Sequence, residues 1–160
     1  MTRLAAQNYC SAIVGPQGSG KTLLLEQMVP KLEALGFEPK LFRISTETGM
    51  REKEHLPDTL RRVVAPGFIL LDGAEQLSTR QWLPVRGAAS KAAGFLITVH
   101  RVSRLPALIE CETRPPLLEQ LVHELTGSWL PAGEAQLLLA RHHGNIRSVL
   151  RELYDRWDGM

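Results

Sequence analysis

The sequence predicts an α/β fold: a parallel five-stranded sheet flanked by helices, followed by a small C-terminal α-helical subdomain. Three observations lead there. Apolar runs of strand length alternate with longer helical stretches through the first two thirds of the chain. Two of these runs, Phe68–Leu71 and Phe95–Val99, are almost wholly apolar, as strands buried on both faces of a parallel sheet must be. After Pro115-Pro116 the strand signals stop, and three helical patterns follow with no strand between them.

Each element has its own signal. Ser11–Val14 is a short apolar run that ends at Gly15. The helix that follows places Leu24, Met28, Leu32 and Leu35 on one face. Gly36 suits the left-handed residue past its end, with Phe37 able to pack back on Leu32. Pro30 removes one ladder bond and predicts a kink or a break there. Lys40–Ser45 is a mixed second strand and Phe68–Leu71 the third. Ser78–Ala93 reads as a helix with an internal proline, Pro84. Phe95–Val99 is the fourth strand, and Leu108, Ile109 and Cys111 mark a fifth. In the helical part, Leu117, Leu118, Leu121, Val122 and Leu125 make one apolar face, and Ala135, Leu138 and Leu139 a second. Ile146, Val149, Leu150, Leu153 and Trp157 make a third. The expected division is a core over residues 1–115 and a helical lid over residues 116–160.

Composition narrows the class. The chain has 160 residues, 44% hydrophobic and 22% charged, a globular balance that excludes a disordered tail, a coiled coil or a collagen-like fibre. No apolar run approaches the roughly 18 residues that span a membrane. Met1–Asn8 has one arginine and no apolar centre, unlike a signal peptide. Cys10 and Cys111 sit in no metal spacing and read as reduced thiols, so the expected location is cytoplasmic. The 19 Lys and Arg against 17 Asp and Glu leave a net charge of +2, too little to argue for nucleic acid.

Residues 15–22 read Gly15-Pro16-Gln17-Gly18-Ser19-Gly20-Lys21-Thr22, a complete G-x-x-x-x-G-K-[ST] pattern between a strand and a helix. Glycines let successive backbone N–H groups turn inward around a phosphate chain. The following helix offers its first N–H groups and its dipole to the same anion. Lys21, expected to be exposed in the loop, reaches the β- and γ-phosphates, and Thr22 ligates Mg²⁺. ATP is the expected nucleotide, since a guanine-reading Asn-Lys-x-Asp pattern is absent.

Three more residues belong with this loop. Asp72 ends a buried strand, where ligands of open α/β sheets bind, and can hold Mg²⁺. Its alternative is a turn residue, since Asp-Gly is a common turn pair. Glu75 is a candidate to activate the attacking water, or else an acid in the first turn of the next helix. Thr98 is the hydrogen-bonding side chain near the end of its strand, a candidate to touch the γ-phosphate or the attacking water, or else simply a β-branched residue of the kind strands favour. His100 follows it with the same ambiguity.

These parts in this order resemble the additional-strand P-loop ATPases, among them the AAA+ and NACHT/STAND ATPases. The resemblance implies that Gly15–Thr22 is a Walker A loop, Phe68–Asp72 a Walker B strand and Thr98 a sensor 1 residue. Gly144-Asn145-Ile146-Arg147 is similar to the sensor 2 segment of AAA+ lids, in which an arginine reaches the nucleotide. Asn145 is a good N-cap, while Arg147 at the second helical position opposes the dipole by about 0.3–1 kcal/mol, a cost an anion offsets. Two features depart from the pattern. Many of these ATPases carry an acid directly after the Walker B Asp; here Gly73 stands there and the acid is displaced to Glu75. The segment before the first strand is also short, so the adenine-contacting part expected there is short or missing. Arg101, Arg104 and Arg114 are candidates for an arginine finger, with no basis for choosing among them. The expected function is a small AAA+-like ATPase coupling Mg-ATP binding and hydrolysis to lid motion, with a protein partner or a second copy of the chain as its target. The alternatives are an adenylate-kinase-like phosphotransferase, since Phe68–Gly73 resembles a strand of those enzymes, or a nucleotide-binding switch without turnover.

Overall fold

The computed structural model describes residues 2–101 and 104–158. Two compact units divide the chain, Met1–Val14 with Lys21–Glu110, and Gly15–Gly20 with Cys111–Met160.

The first unit is the α/β one. Helix α1 (Thr2–Ala6) leads into β1 (Cys10–Val14), then α2 (Lys21–Glu33), β2 (Glu38–Arg43), α3 (Met50–Leu60), β3 (Gly67–Asp72), α4 (Thr79–Ala88), β4 (Gly94–Val99) and β5 (Ala107–Glu110). The five strands form one sheet in the order β2-β3-β4-β1-β5. Every neighbouring pair is parallel. The sequence character follows this order. Strand β4 is buried along its whole length and β3 up to Asp72, which is why both read as unbroken apolar runs. Strand β2 lies at the edge and alternates, which is why Lys40–Arg43 reads as mixed.

Helix α2 packs on β1, β2, β3 and β4. It buries Leu25, Met28 and Leu32, each contributing about 1.5–3 kcal/mol. Leu25 takes the place expected for Leu24, and Leu35, past the helix end, is 52% exposed. The end itself has the expected form. Gly36 has φ +84°, and the Phe37 N–H donates to Leu32 O at 3.1 Å. The helix is not broken at Pro30. Pro30 is exposed there, and its own carbonyl still accepts from Ala34 N at 3.1 Å. Phe37 belongs to an edge-to-face cluster with Tyr9 and Phe68. Gly94 lies against Phe68 so closely that a Cβ there would fall 2.1 Å from the ring.

Helix α4 starts at the capping serine Ser78, whose side chain accepts from Gln81 N. It ends at Ala88, and a 3-10 turn, Ala89–Lys91, takes up part of the expected helix. Two helices carried no clear signal: α1 is five residues long, and α3 buries only Pro57 and Leu60.

The second unit is helical, with α5 (Pro115–Thr126), α6 (Glu134–Arg141) and α7 (Ile146–Asp158). Its core is Leu118, Val122, Ala135, Leu138, Leu139, Ile146, Val149 and Leu153. The apolar faces are narrower than the spacing predicts: Leu117 is 40% exposed, Leu125 69% and Trp157 40%. A buried face on these short helices needs only the a- and d-like positions, and the flanking residues turn outward. Glu152 of α7 binds His142 and Arg141 at the end of α6, and Arg156. The His142 contact, with the arginines, holds the Glu152 carboxyl below its ordinary range.

Candidate nucleotide site

Strand register brings the first cluster together. Leu71 pairs with Ile97, so the residues that follow them, Asp72 at the end of β3 and Thr98 one before the end of β4, lie side by side at the C-terminal edge of the sheet. Thr98 is 1% exposed, and a hydroxyl so deep needs partners. It donates to Asp72 Oδ1 at 2.6 Å and accepts from Gly73 N at 2.8 Å. Thr22 Oγ1, in the first turn of α2, donates to Asp72 Oδ2 at 2.8 Å. Three residues singled out from sequence thus meet on one carboxylate. No group of three or more His, Cys, Asp or Glu side chains among the described residues could hold a metal. A cation at Thr22 and Asp72 would have these two protein oxygens, with water or phosphate oxygens to complete its shell. That donor set suits Mg²⁺, which keeps its waters and binds through one or two protein groups plus substrate phosphates.

The displaced acid has a structural cause. Gly73 has φ +81°, and a Cβ there would lie 2.0 Å from the carbonyl oxygen of Ile44. No side chain fits after Asp72, so the first acid along the chain arrives at Glu75, in a 3-10 turn, Ala74–Gln76. Glu75 Oε1 pairs with His100 Nε2 at 3.1 Å. Its Oε2 is buried without a hydrogen-bond partner among the described residues. A cavity of about 230 Å³ is lined by Glu75, Val99, His100, Arg101 and Arg104. Arg104 donates to Leu77 O and lies 4.9 Å over the Trp82 ring. Burial lowers its pKa from the ordinary value, and the Glu75 charge opposes that shift. An arginine fastened in this way is part of its own unit's packing. Arg114 pairs with Glu112.

Lys21 differs from expectation: it is 8% exposed, not an open loop side chain. The reason is that α2 begins at Lys21 itself, so the side chain springs from a helix laid on the sheet.

Gly15–Gly20 clusters with the helical unit. Gly18 and Gly20 have φ +76° and +86°, a conformation that glycine adopts without strain. The Ser19 N–H donates to Pro16 O at 3.3 Å. Gly15 approaches Cys111 so closely that a Cβ would sit 2.7 Å from the Cys111 Cβ. Asn145 caps α7, its Oδ1 accepting from Ser148 N at 3.1 Å. Arg147, the second residue of α7, is exposed. From sequence, Asn145 caps its helix and its end of that helix faces the Gly15–Thr22 loop; the particular contact, its amide against Gly18, is what sequence reasoning missed. The two are far apart in the chain, and no local pattern marks the contact.

No protein-family model matches the chain. No curated protein matches it either. Solved structures do. A replication initiator DnaA bound to AMPPCP and single-stranded DNA aligns over 93% of this chain and 55% of its own, at 16% identity and a TM-score of 0.61. A DNA replication initiation factor aligns over 96% and 57%, at 16% identity and 0.60. The Thermotoga maritima RuvB Holliday junction branch migration motor aligns over 94% and 56%, at 14% identity and 0.60. The fold is that of the AAA+ P-loop ATPases. The chain spans little more than half the length of these structures.

Proposed function

We propose that the chain binds Mg-ATP and hydrolyses it, as a small AAA+-like ATPase. The observation that carries this is the convergence of Thr22 and Thr98 on Asp72, downstream of a complete phosphate-loop sequence. Gly15, Pro16, Gln17, Gly18, Ser19 and Gly20 would wrap the phosphates with backbone N–H groups, and Lys21 would neutralise the charge that develops on transfer. Thr22 and Asp72 would hold Mg²⁺, which supplies charge neutralisation at the phosphates. In hydrolysis, water oxygen attacks the γ-phosphorus, the bond to the β–γ bridging oxygen breaks, and ADP leaves with that electron pair. Glu75 would accept the water proton and Thr98 would orient the reacting groups. Arg147 would bind the nucleotide from residues 116–160, acting as a lid whose motion a protein partner or a second copy of this chain reads.

One observation favours a second reading, a switch that binds without turnover. Glu75 is engaged by His100 and its other oxygen is buried. Phosphate release from ATP as a function of protein concentration separates the two. Release that rises more steeply than protein concentration supports turnover in an assembly. Stoichiometric binding with no release at any concentration supports the switch. Lys21→Ala is the control for both and should not bind ATP.

Arg147→Ala should leave thermal stability unchanged or slightly higher without nucleotide, since a cation opposed to the α7 dipole is removed. It should reduce the rise in Tm that ATP confers, because ligand stabilisation follows affinity. An undiminished ATP shift removes Arg147 from the site.

A further inference from the structure

We propose that Asn145 is a positioning residue for the phosphate loop, seating Gly18 and leaving an amide donor beside it. The inference rests on the nucleotide-binding reading above. A Cβ built on Gly18 would lie 1.9 Å from Asn145 Oδ1, 2.6 Å from its Cγ and 3.2 Å from its Nδ2. The Asn145 amide therefore occupies the space that any side chain at position 18 would need. The amide is itself held in place. Its Oδ1 accepts from Ser148 N, and its backbone carbonyl accepts from Val149 N at 3.1 Å. Its backbone N–H donates to His142 O at 2.9 Å. Gly144, the residue before it, has φ +78°, and a Cβ there would meet Thr113 Oγ1 at 2.8 Å. With three contacts fixing the residue, the amide is a rigid wall rather than a mobile tip.

The chemistry of an amide explains the choice. An N-cap needs only one acceptor, which serine or aspartate supplies about as well as asparagine. Only asparagine spends Oδ1 on the cap and keeps an NH₂ group. That group makes no hydrogen bond among the described residues. Beside a loop that presents backbone N–H groups to phosphate oxygens, an added neutral donor is favourable and an added carboxylate is not. The contact also gives the helical unit a mechanical link to the loop. Any change in Gly18 when phosphate fills the loop is felt at the cap of α7, one residue before Ile146 in the core of that unit.

The test uses two variants that keep the cap and so keep the fold. Asn145→Asp retains the acceptor but replaces the donor with an anion. Asn145→Ser retains the acceptor but removes the wall. Both should melt near the native temperature. ATP affinity should fall about a hundredfold for Asn145→Asp and about tenfold for Asn145→Ser. A double-mutant cycle with Gly18→Ala completes the test. The cost of a left-handed alanine is the same in either background and cancels, while the clash with the amide is present only with Asn145. Gly18→Ala should therefore cost at least about tenfold less ATP affinity in the Asn145→Ser background than in the native one. Equal costs, or native ATP affinity in Asn145→Asp, overturn the proposal while the nucleotide reading stands. A native chain that does not bind ATP overturns both.

Discussion

Gly73→Glu is expected to unfold the protein more easily and to lower any ATPase activity, although it places an acid directly after Asp72, where many of the ATPases that the sequence resembles carry one. Position 73 has φ +81°, and the carbonyl oxygen of Ile44 occupies the place of a Cβ at 2.0 Å. The left-handed conformation costs a non-glycine residue about 1–3 kcal/mol. Forcing a side chain into packed surroundings costs about 1–3 kcal/mol more. Against a total stability of about 5–15 kcal/mol, that is a large fraction. The damage should also reach the site. The Gly73 N–H donates to Thr98 Oγ1, which donates to Asp72, so a shifted backbone at 73 misplaces both. Gly73→Ala isolates the cause, because the clash begins at the Cβ and carries no charge. In urea unfolding both variants should lose most of the same stability. A Gly73→Glu protein as stable as the native one, with higher phosphate release, would show that the turn yields easily and that the acid is merely displaced.

The same turn shows how far the sequence could be read. The G-x-x-x-x-G-K-[ST] pattern is legible because it is local: eight consecutive residues carry it. The central strands are legible because burial on both faces demands unbroken apolar runs. Helix α3 was not, because it buries only Pro57 and Leu60 and leaves its polar residues in water. Lys21 was misjudged because the pattern marks a loop lysine without saying where the helix begins. The need for glycine at 73 and the seat of Gly18 on Asn145 are invisible for another reason. Each depends on a backbone or side chain distant in sequence, and glycine carries no label for the neighbour that excludes a side chain. Strand register, by contrast, made the Asp72–Thr98 meeting a consequence of two correctly read strands. Which residue shares the Asp72 carboxylate from α2 followed from the position of Thr22 in the motif.

Asp72→Asn is expected to leave the fold intact and to uncouple ATP binding from Mg²⁺. The native carboxylate accepts from two hydroxyls, Thr22 at 2.8 Å and Thr98 at 2.6 Å. An asparagine can satisfy the same neighbours. Its oxygen can go on accepting from Thr98, whose hydroxyl also keeps the bond from the Gly73 N–H. Its NH₂ then faces Thr22, whose hydroxyl can rotate to accept. Each polar group keeps a partner, so the melting temperature should move by no more than the roughly 2–4 °C that 1 kcal/mol shifts in a chain of this size. A cation is treated differently. The amide carries no charge, and its NH₂ presents protons where Mg²⁺ or its bound water needs an acceptor. Losing a charged hydrogen-bonding partner costs about 1.5–3 kcal/mol, or about 10- to 100-fold in affinity for Mg-ATP. ATP binding in the presence of a chelator should change little, because in the proposed site the loop and Lys21, not Asp72, would hold the phosphates. Calorimetric titration of both proteins with ATP, with and without Mg²⁺, measures the difference. If Mg²⁺ strengthens ATP binding equally in the two, Asp72 is a turn residue that orders Thr22 and Thr98, and the metal is held elsewhere.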